Sequence, residues 1–345
     1  MRMADGTHIE WTDATWNPIT GCQVKSPGCK FCYAMKLAGT RLKHHPSRQG
    51  LTVDSKNGPV WTGEVRFNEA WLTEPLHWTK PRMIFVCAHA DLFYEAVPDE
   101  WIDRVFAIMA MSPRHVFQVL TKRPERMLDY LARLEAEPFR ETVKRFAIAA
   151  PSPLPRFGAI TLPSSNIWLG CSIEDQARAD ERRNSMRQLS GAGWMTWVSY
   201  EPALGPVDWT GWEFLNWMVS GGESDSDGKS ARVHHADWHR ATRDFCAANA
   251  IPYLFKQWGC LIDVDQVAAR IAEATKAGTA WIMRDGQVWQ PPFPLNFGDA
   301  AWLAKFIGHA FEHQSDGSTL LRMKKGDAGR LLDGRTHDGF PQVSA

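Results

Sequence analysis

The sequence predicts an α/β protein whose core is a partial or complete (β/α) barrel with a C-terminal appendage. Short continuous apolar runs alternate with amphipathic stretches of helical period along most of the first 260 residues, a pattern typical of buried parallel strands joined by helical crossovers. Polar residues recur directly after these runs, where the active residues of a barrel collect. A doubly wound open sheet is the alternative that the pattern leaves open.

The apolar runs give about six to seven predicted strands. The first lies in TWNPITG, and the second, RMIFVCAHADLF, precedes a helix-like stretch that begins at Pro98 with acidic residues in its first turn, a helix start signal. The remaining strands and helices follow in chain order as HVFQVLTKR, PERMLDYLARLEAE, NIWLGCSIED, QARADERRNSMRQL, MTWVSYEP, LNWMVSGGES, HADWHRATRDFCAANA and PYLFKQWG.

The predicted domain organisation follows from this series. Residues 1–260 are expected to form the barrel, with an insertion at about 138–165 where Pro and small residues accumulate. Residues 261–345 are predicted as a C-terminal extension packed on the barrel. That extension carries a basic cluster, which consists of Arg322, Lys324, Lys325, Arg330 and Arg335.

Net charge, apolar runs and cysteine count limit the functions that the protein can have. The net charge is zero, so any contact with nucleic acid must come from local basic patches such as RLKHHPSR and RMKKGDAGR. No apolar run approaches the roughly 20 residues that span a bilayer, and the first residues lack the apolar region of a secretory signal. Seven cysteines, an odd number, therefore indicate reduced thiols in a cytoplasmic protein, which would be the host cytoplasm for a phage protein.

Three of these cysteines lie close together. Cys22, Cys29 and Cys32 are spaced C-x6-C-x2-C, with Phe31 and Tyr33 flanking the last of them. Structural zinc takes four ligands, and a C-x2-C redox pair would leave Cys22 without a purpose. A [4Fe–4S] cluster held by three thiolates explains all three residues, because one iron then stays open to a small molecule. Zinc and a redox pair remain as alternatives.

Several long motifs extend this interpretation to a known family. The chain resembles the phage-associated three-cysteine-motif family, a domain of unknown function, and its cysteine loop is similar to that of the radical S-adenosylmethionine (SAM) superfamily. The commonest spacing there is C-x3-C-x2-C, so the first gap is longer here. The motifs that carry the resemblance are IEWTDATWNPITGC, FQVLTKRPERM, WLGCSIEDQARAD, SYEPALGPVD, GGES, PYLFKQWG and AGRLLDGRTHDGFP.

The resemblance implies a fold, cofactors and a reaction. It implies a barrel of the radical-SAM type, a [4Fe–4S] cluster and SAM, whose amino and carboxylate groups bind the open iron. An electron from a flavodoxin- or ferredoxin-type donor would cleave SAM to methionine and a 5′-deoxyadenosyl radical, which abstracts a substrate hydrogen. A Gly-Gly-Glu stretch after the second strand binds the methionyl amine in that superfamily, whereas here it follows the predicted sixth strand.

Candidate site residues follow from these expectations. Asp91, and second His89, hold the position after the second strand and could bind the amine, since a carboxylate accepts directly from an ammonium. Lys122 and Arg123 are candidates for a substrate carboxylate or phosphate, and Lys256 and Glu201 for catalysis. The other candidates for contacts with the cofactor are Ser172, Glu174, Ser199, Gly221, Gly222 and Glu223.

Three functions remain after the sequence is read. The first is a radical SAM enzyme that modifies a nucleic-acid base, for example an isomerase that rearranges an amino-acid substituent on hypermodified thymidine in phage DNA and so protects it from host restriction. The second is a radical SAM enzyme on a peptide, small-molecule or photolesion substrate. The third is a non-catalytic, metal-bearing nucleic-acid-binding protein. The sequence does not indicate an oligomeric state.

Overall fold

The computed structural model describes most of the chain. The residues described are 7, 9–136, 162–224, 230–263, 266, 281–282, 288–289, 310–315, 318–322 and 325–342. The predicted insertion at about 138–165 lies mostly outside these residues, as does Lys324 of the predicted basic cluster.

Seven strands form the main sheet, in the order β1-β6-β7-β8-β9-β10-β11 when all strands are numbered along the chain. They are β1 (Ala14–Trp16), β6 (Met83–Val86), β7 (Val116–Thr121), β8 (Ile167–Ser172), β9 (Met195–Tyr200), β10 (Trp217–Gly221) and β11 (Tyr253–Gln257). The neighbouring pairs from β1 to β9 are parallel. Each of these strands coincides with one of the apolar runs that predicted it.

The order of the strands decides between the two predicted architectures. A doubly wound sheet reverses its strand order at a switch point. Here the seven strands of the main sheet follow one another in chain order from one edge to the other. The first and last strands lie at opposite edges, so the sheet is open. The predicted α/β class and the partial (β/α) barrel are therefore confirmed, and the Gly-Gly-Glu stretch does follow the sixth strand of the sheet.

Seven α-helices are described. They are α1 (Tyr33–Gly39), α2 (Glu74–His77), α3 (Asp99–Ala110), α4 (Pro124–Ala136), α5 (Gln176–Gly191), α6 (Ala236–Ala248) and α7 (Lys325–Ala328). The helix α3 begins directly after Pro98, as predicted, and α5 is capped by Asp175, whose side chain accepts from the backbone N–H of Arg178 at 2.9 Å. In the part of the chain that the structure describes, no helix has the length and apolarity to cross a membrane.

Among the described residues, nine short strands lie outside the main sheet; β2 falls within the predicted first strand, TWNPITG, and the sequence pattern did not predict the other eight. The nine strands are β2 (Ile19–Thr20) with β5 (Arg66–Phe67), the hairpin β3 (Thr52–Ser55) with β4 (Gly58–Trp61), the sheet of β12 (Leu261–Asp263), β16 (Thr319–Arg322) and β15 (Ala310–His313), and the pair β13 (Trp281–Ile282) with β14 (Val288–Trp289). The strand β3 of the hairpin is largely exposed, so its sequence lacks the apolar run on which strand prediction depends.

Tryptophan rings fill much of the core beside the sheet. The ring of Trp197 lies 5.1 Å from that of Trp217 and 5.3 Å from that of Trp11, measured between centroids. A Cβ at Gly170 of β8 would lie 2.3 Å from Trp197, so glycine leaves the space that the indole occupies. These tryptophans are buried and serve packing.

The chain divides into two compact units, each described below by itself. The first comprises residues 1–199, 208–218 and 341–345, and the second comprises residues 200–207 and 219–340. The cysteine loop lies in the first unit, and the pair Glu201 and Lys256 lies in the second. The predicted boundary at residue 260 stays a prediction.

A C-terminal segment, residues 329–340, completes the second unit at β11. The backbone N–H of Phe255 donates to the carbonyl of His337 at 3.0 Å, and the N–H of Gly339 donates to the carbonyl of Tyr253 at 2.9 Å. These bonds occupy backbone groups that an edge strand would otherwise expose. Upstream, the carboxylate of Asp333 forms ion pairs with Arg240 and Arg243 of α6, which fixes the segment against the helix.

We expect Asp333→Asn to lower the free energy of unfolding by about 1 kcal/mol, because it removes the charge that two arginines share at a partly exposed site. Asn suits the left-handed backbone of this residue, at φ 52°, so the loss is electrostatic. Urea unfolding measures it. The matched control is Asp54→Asn, which removes the exposed pair with Lys43. If both substitutions lowered the free energy of unfolding by the same amount, the ion pairs of Asp333 would contribute no more than an exposed surface pair, which would contradict this prediction.

Candidate functional site

The cysteine loop begins at a glycine that no other residue could replace without strain. Gly21 has φ +95°, and a Cβ there would lie 2.2 Å from the carbonyl oxygen of Glu64. Its backbone pairs with Ala90 in a parallel bridge after β6. The loop then turns through a short 3₁₀ helix, Pro27–Cys29, and Cys32 precedes the first residue of α1. The loop is thereby held between the ends of two neighbouring strands of the main sheet, β1 and β6.

The three sulfurs share one electrostatic environment. Cys29 is buried, whereas Cys22 and Cys32 are partly exposed. Burial, with the carboxylate of Asp91 next in size, raises the pKa of Cys22, and charges on Cys32 and Cys29 raise it further. Burial likewise raises the pKa of Cys32. The thiols of Cys22 and Cys32 therefore stay protonated until a cationic centre displaces their protons, as metal binding to cysteines requires.

The donor set of the loop consists of thiolates alone. Among the described residues, no group of three His, Cys, Asp or Glu side chains is placed to hold one metal ion. Residues 20–34 contain three cysteines and no histidine or carboxylate, and such soft thiolate ligands select iron–sulfur clusters or zinc. The three cysteines thus fit a cluster with one open iron.

A buried carboxylate anchors the loop. Glu174, fully buried after β8, accepts from the hydroxyl of Ser26 at 2.6 Å, between Cys22 and Cys29 in the chain. It also forms ion pairs with Lys122 and Arg182. Burial alone would raise the pKa of Glu174, but Lys122 and Arg182 outweigh burial and lower it. The carboxylate is therefore ionised, and it joins the cysteine loop to the ends of β7 and β8.

The backbone of the cysteine loop lies very close to the carboxylate of Glu174. A Cβ at Gly28 would lie 2.6 Å from Oε1 of Glu174, so the loop backbone reaches the carboxylate only because residue 28 has no side chain. On the other side of the carboxylate, Arg182 is buried and donates to the backbone carbonyl of Ser172 at 2.6 Å. Ser172 thus contributes a main-chain contact, and the carbonyl of Ser199 similarly accepts from Ile173 at 2.9 Å.

Asp91 is a second buried carboxylate, with all four of its acceptor positions used. It accepts from Thr121 Oγ1 at 2.6 Å, from the N–H of Phe93 and of Lys122 at 3.0 Å each, and from Arg123 at 3.0 Å. A carboxylate offers about four lone-pair sites. An ammonium could bind Asp91 only by displacing one of these donors, so the geometry supports a positioning role more strongly than the predicted amine contact.

Lys122 and Arg123 are also engaged. Lys122 pairs with Glu174 and keeps a fifth of its side chain exposed. Arg123 is buried, pairs with Asp91 and with the exposed Glu95, and lies 4.8 Å from the ring centre of Tyr94. An anionic substrate could approach Lys122, whereas the guanidinium of Arg123 already holds two carboxylates.

The imidazole of His89 accepts hydrogen bonds from a buried arginine. Both Nε and Nη2 of Arg48 lie within hydrogen-bond distance of His89 Nδ1, at 3.3 and 2.8 Å. Burial and the charge of Arg48 lower the pKa of His89 to about 3, so the ring is neutral. With Nδ1 as acceptor, Nε2 carries the proton. An N–H donor suits an anionic group and does not suit an ammonium.

The second unit holds the other predicted group, at the ends of β9 and β11. Lys256 Nζ donates to both oxygens of Glu201, at 2.8 and 2.9 Å, and the amide of Gln257 donates to the same carboxylate at 2.8 Å. Both charged side chains are about one-seventh exposed. The structure therefore brings together the two residues predicted for catalysis as one ion pair that water can reach.

The Gly-Gly-Glu stretch lies beside this pair. A Cβ at Gly221 would lie 3.4 Å from Glu201 Oε1, and one at Gly222 would lie 2.4 Å from His234. Glu223 accepts from the backbone and side chain of Arg232, including a bond of 2.8 Å from Nε. The glycines thus permit close packing, and the carboxylate of Glu223 is already paired.

Sequence reasoning missed three residues that build the site, namely Ser26, Arg48 and Arg182. A serine within a polar loop and an arginine in a basic stretch carry no signal of their contacts. Arg182 lies in a helix among other charged residues, where nothing in the sequence separates the one buried arginine from its exposed neighbours. To identify Arg182 from the sequence, one would need to know which face of α5 packs against the sheet.

Comparison with known proteins gives a family without a function. The family model described as "Protein of unknown function (DUF5131)" matches residues 6–341. No curated protein matches the chain. Among solved structures, spore photoproduct lyase with a dinucleoside spore photoproduct matches at 10% identity and a TM-score of 0.40, over 95% of this chain and 72% of that one.

A mutant of spore photoproduct lyase with bound AdoMet and the dinucleoside matches at 11% identity and the same TM-score of 0.40, again over 95% of this chain and 72% of that one. At this TM-score the likeness carries no argument about what the present chain does. The interpretation of the site therefore rests on its own residues.

We expect Glu174→Gln to lower the free energy of unfolding by about 3 to 5 kcal/mol, because it leaves buried Lys122 and Arg182 without a counter-charge. Since folding lowers the pKa of Glu174, its stabilisation is present above about pH 4.3 and is lost as the pH falls through the folded value. Denaturant unfolding at neutral and acidic pH should show a difference from wild type that shrinks with acid.

The control for this prediction is Glu181→Gln on α5, the helix that follows Glu174, where an exposed carboxylate pairs with Arg178. We expect a change below about 0.5 kcal/mol. A Glu174→Gln protein as stable as this control would show that the buried charges do not hold the loop.

Proposed function

The chain belongs to the DUF5131 family of proteins of unknown function, and we propose that it is a radical SAM enzyme with a three-cysteine [4Fe–4S] cluster. One observation carries the proposal. Cys22, Cys29 and Cys32 lie in a loop at the carboxyl ends of parallel strands, held there by the bond from Ser26 to the buried carboxylate of Glu174. A barrel places its active residues at this end of the sheet.

The cluster and SAM would together supply a 5′-deoxyadenosyl radical, and the protein residues bind, orient and exclude water. Cys22, Cys29 and Cys32 would hold the cluster. Lys122 and Arg123 place positive charge near the loop, since they favour the ionised forms of Cys32 and Cys22. Phe31 and Tyr33 flank the last cysteine and would shield the cluster from solvent.

We retain Lys256 and Glu201 as the proposed catalytic pair of the second unit. A lysine that donates to both oxygens of one carboxylate can pass a proton between the two groups without a change in net charge. Ser172, Ser199, Gly221, Gly222 and Glu223 stay proposed contacts to the cofactor. Their contacts are to the protein's own backbone and side chains, which supports a role in shaping the site.

The proposed substrate is a nucleic-acid base. The finer form of the proposal is an isomerase that rearranges an amino-acid substituent on a hypermodified thymidine of phage DNA, which would protect that DNA from restriction in the host cytoplasm. The basic stretch RLKHHPSR, at residues 41–48, supports contact with phosphates: Arg41, Lys43 and His44 are exposed. An electron donor of the flavodoxin or ferredoxin type would be the protein partner.

Two other functions remain to be separated from this one. A peptide, small-molecule or photolesion substrate would leave the radical chemistry unchanged. A non-catalytic protein that binds nucleic acid through a metal-bearing loop would contain metal but cleave no SAM. Metal content and SAM cleavage separate the last function from the others, and substrate analysis separates the first two.

The cluster is tested by alanine substitution of each cysteine in turn. We expect anaerobically purified protein to contain iron and sulfide and, when reduced, to release 5′-deoxyadenosine from SAM. Cys22→Ala, Cys29→Ala and Cys32→Ala should each abolish that release, while the control Cys246→Ala, a buried cysteine of α6, should retain it. Stoichiometric zinc without iron would eliminate the radical mechanism, and release by any loop variant would eliminate the three-thiolate cluster.

The substrate is tested by incubating the reduced protein and SAM with phage DNA and digesting the DNA to nucleosides for mass analysis. We expect an altered nucleoside, and Lys256→Met should reduce its yield by about tenfold or more, the scale of losing a general acid–base group. The iron content of Lys256→Met should stay that of wild type. Cleavage of SAM with no altered nucleoside would exclude the DNA substrate while leaving the radical enzyme intact.

A further inference from the structure

Arg48 carries a buried charge that the described protein does not neutralise. Its side chain is 3% exposed, yet none of the described carboxylates forms an ion pair with it. Its contacts are neutral, namely His89 Nδ1, the hydroxyl of Ser47 at 2.5 Å, and the ring of Trp71 at 5.7 Å. A buried charge is costly unless an opposite charge compensates it. A structural arginine at such a site normally has a carboxylate partner.

Arg48 also determines the polarity of His89. Because its guanidinium has no acceptor, the contacts from Nε and Nη2 require a bare lone pair on His89 Nδ1. The proton of the neutral ring then lies on Nε2, and no hydrogen bond to Nε2 is found within the described residues. A cation that donates to one nitrogen withdraws electrons from the ring and strengthens the N–H on the other. His89 thus presents a polarised donor.

The donor lies next to the cysteine loop within the first unit. The carbonyl of His89 accepts from Gly21 N–H at 3.2 Å, and the hydroxyl of Thr20 donates to the carbonyl of Ser47 at 2.7 Å. The ring of Tyr33 lies edge-on to that of His89, at 6.0 Å between centroids. His89 itself is only partly buried, so its free edge is open to solvent.

We propose that Arg48 and His89 form a binding site for an anionic oxygen, a carboxylate or a phosphate, which His89 Nε2–H contacts directly and Arg48 attracts from behind the ring. The ligand supplies the negative charge that Arg48 lacks. His89 is the binding residue, and Arg48 is the positioning residue that fixes its tautomer. The site requires neither a cluster nor SAM, so its failure is distinct from a failure of the proposed function.

A purely structural role predicts different behaviour. Packing of the imidazole against Tyr33 would tolerate either tautomer and would gain nothing from a charge on Arg48. The exposed Arg114, between α3 and β7, lies in the same compact unit, so it carries the same charge at the surface without a contact to His89. Replacement of Arg114 is therefore the control for replacement of Arg48.

The test is nitrogen-15 NMR of the histidine rings in the full-length protein, purified anaerobically and at neutral pH, with His89 assigned from a His89→Gln variant. We expect a neutral ring protonated on Nε2. Sodium acetate and inorganic phosphate are then titrated separately, and at least one should shift the Nε2–H signal saturably. Arg48→Gln should weaken that binding by about tenfold, the scale of a lost charge-assisted interaction, whereas Arg114→Gln should leave it unchanged.

Each outcome decides the proposal. A shift with acetate alone, phosphate alone or both supports the site and identifies its ligand as carboxylate, phosphate or either. A ring protonated on Nδ1, a charged ring, or no saturable shift with either anion overturns it. Equal weakening by Arg114→Gln and Arg48→Gln also overturns it, because general surface charge would then explain binding. The wild-type measurements stand on their own even where Arg48→Gln fails to fold.

Discussion

The first compact unit depends on the compensation of one fully buried negative charge. A carboxylate such as Glu174 is stable inside the protein only when cations and donors surround it, and here those groups come from three separate parts of the chain. Lys122 follows β7, Arg182 belongs to α5, and Ser26 belongs to the cysteine loop. The requirement to satisfy one charge therefore assembles the functional end of the sheet.

Asp91 is a second buried carboxylate of the same kind, two strands earlier, after β6. It binds Thr121, the backbone of Lys122 and Arg123, so two consecutive residues after β7 are each tied to a buried carboxylate. The two buried carboxylates bind different parts of the chain. Glu174 binds the cysteine loop, and Asp91 binds the residues at the end of β7. Most polar residues at this edge thus stabilise one another, and Lys122 and His89 are the side chains that retain access to a ligand.

Much of the fold was predictable, and the partnerships within it were not. Each strand of the main sheet is a continuous apolar run, because burial on both faces leaves a local mark in the sequence. The positions of Asp91, Lys122 and Glu174 after those runs were equally readable. Their partners were not, since Ser26 and Glu174 are 148 residues apart in the chain and no local pattern encodes such a contact. The contact between Arg48 and His89 could not be predicted for the same reason, because Arg48 lies in a distant loop.

The C-terminal segment against β11 has a consequence for the order in which the protein is made. On the ribosome, β11 emerges well before His337 and Gly339, which supply the backbone partners for Phe255 and Tyr253. During that interval the nascent strand presents an unpaired edge, the kind of surface that recruits other chains. Completion of the second unit is thus a late event of synthesis, and a premature stop codon near residue 330 would release a chain that cannot close its own sheet edge.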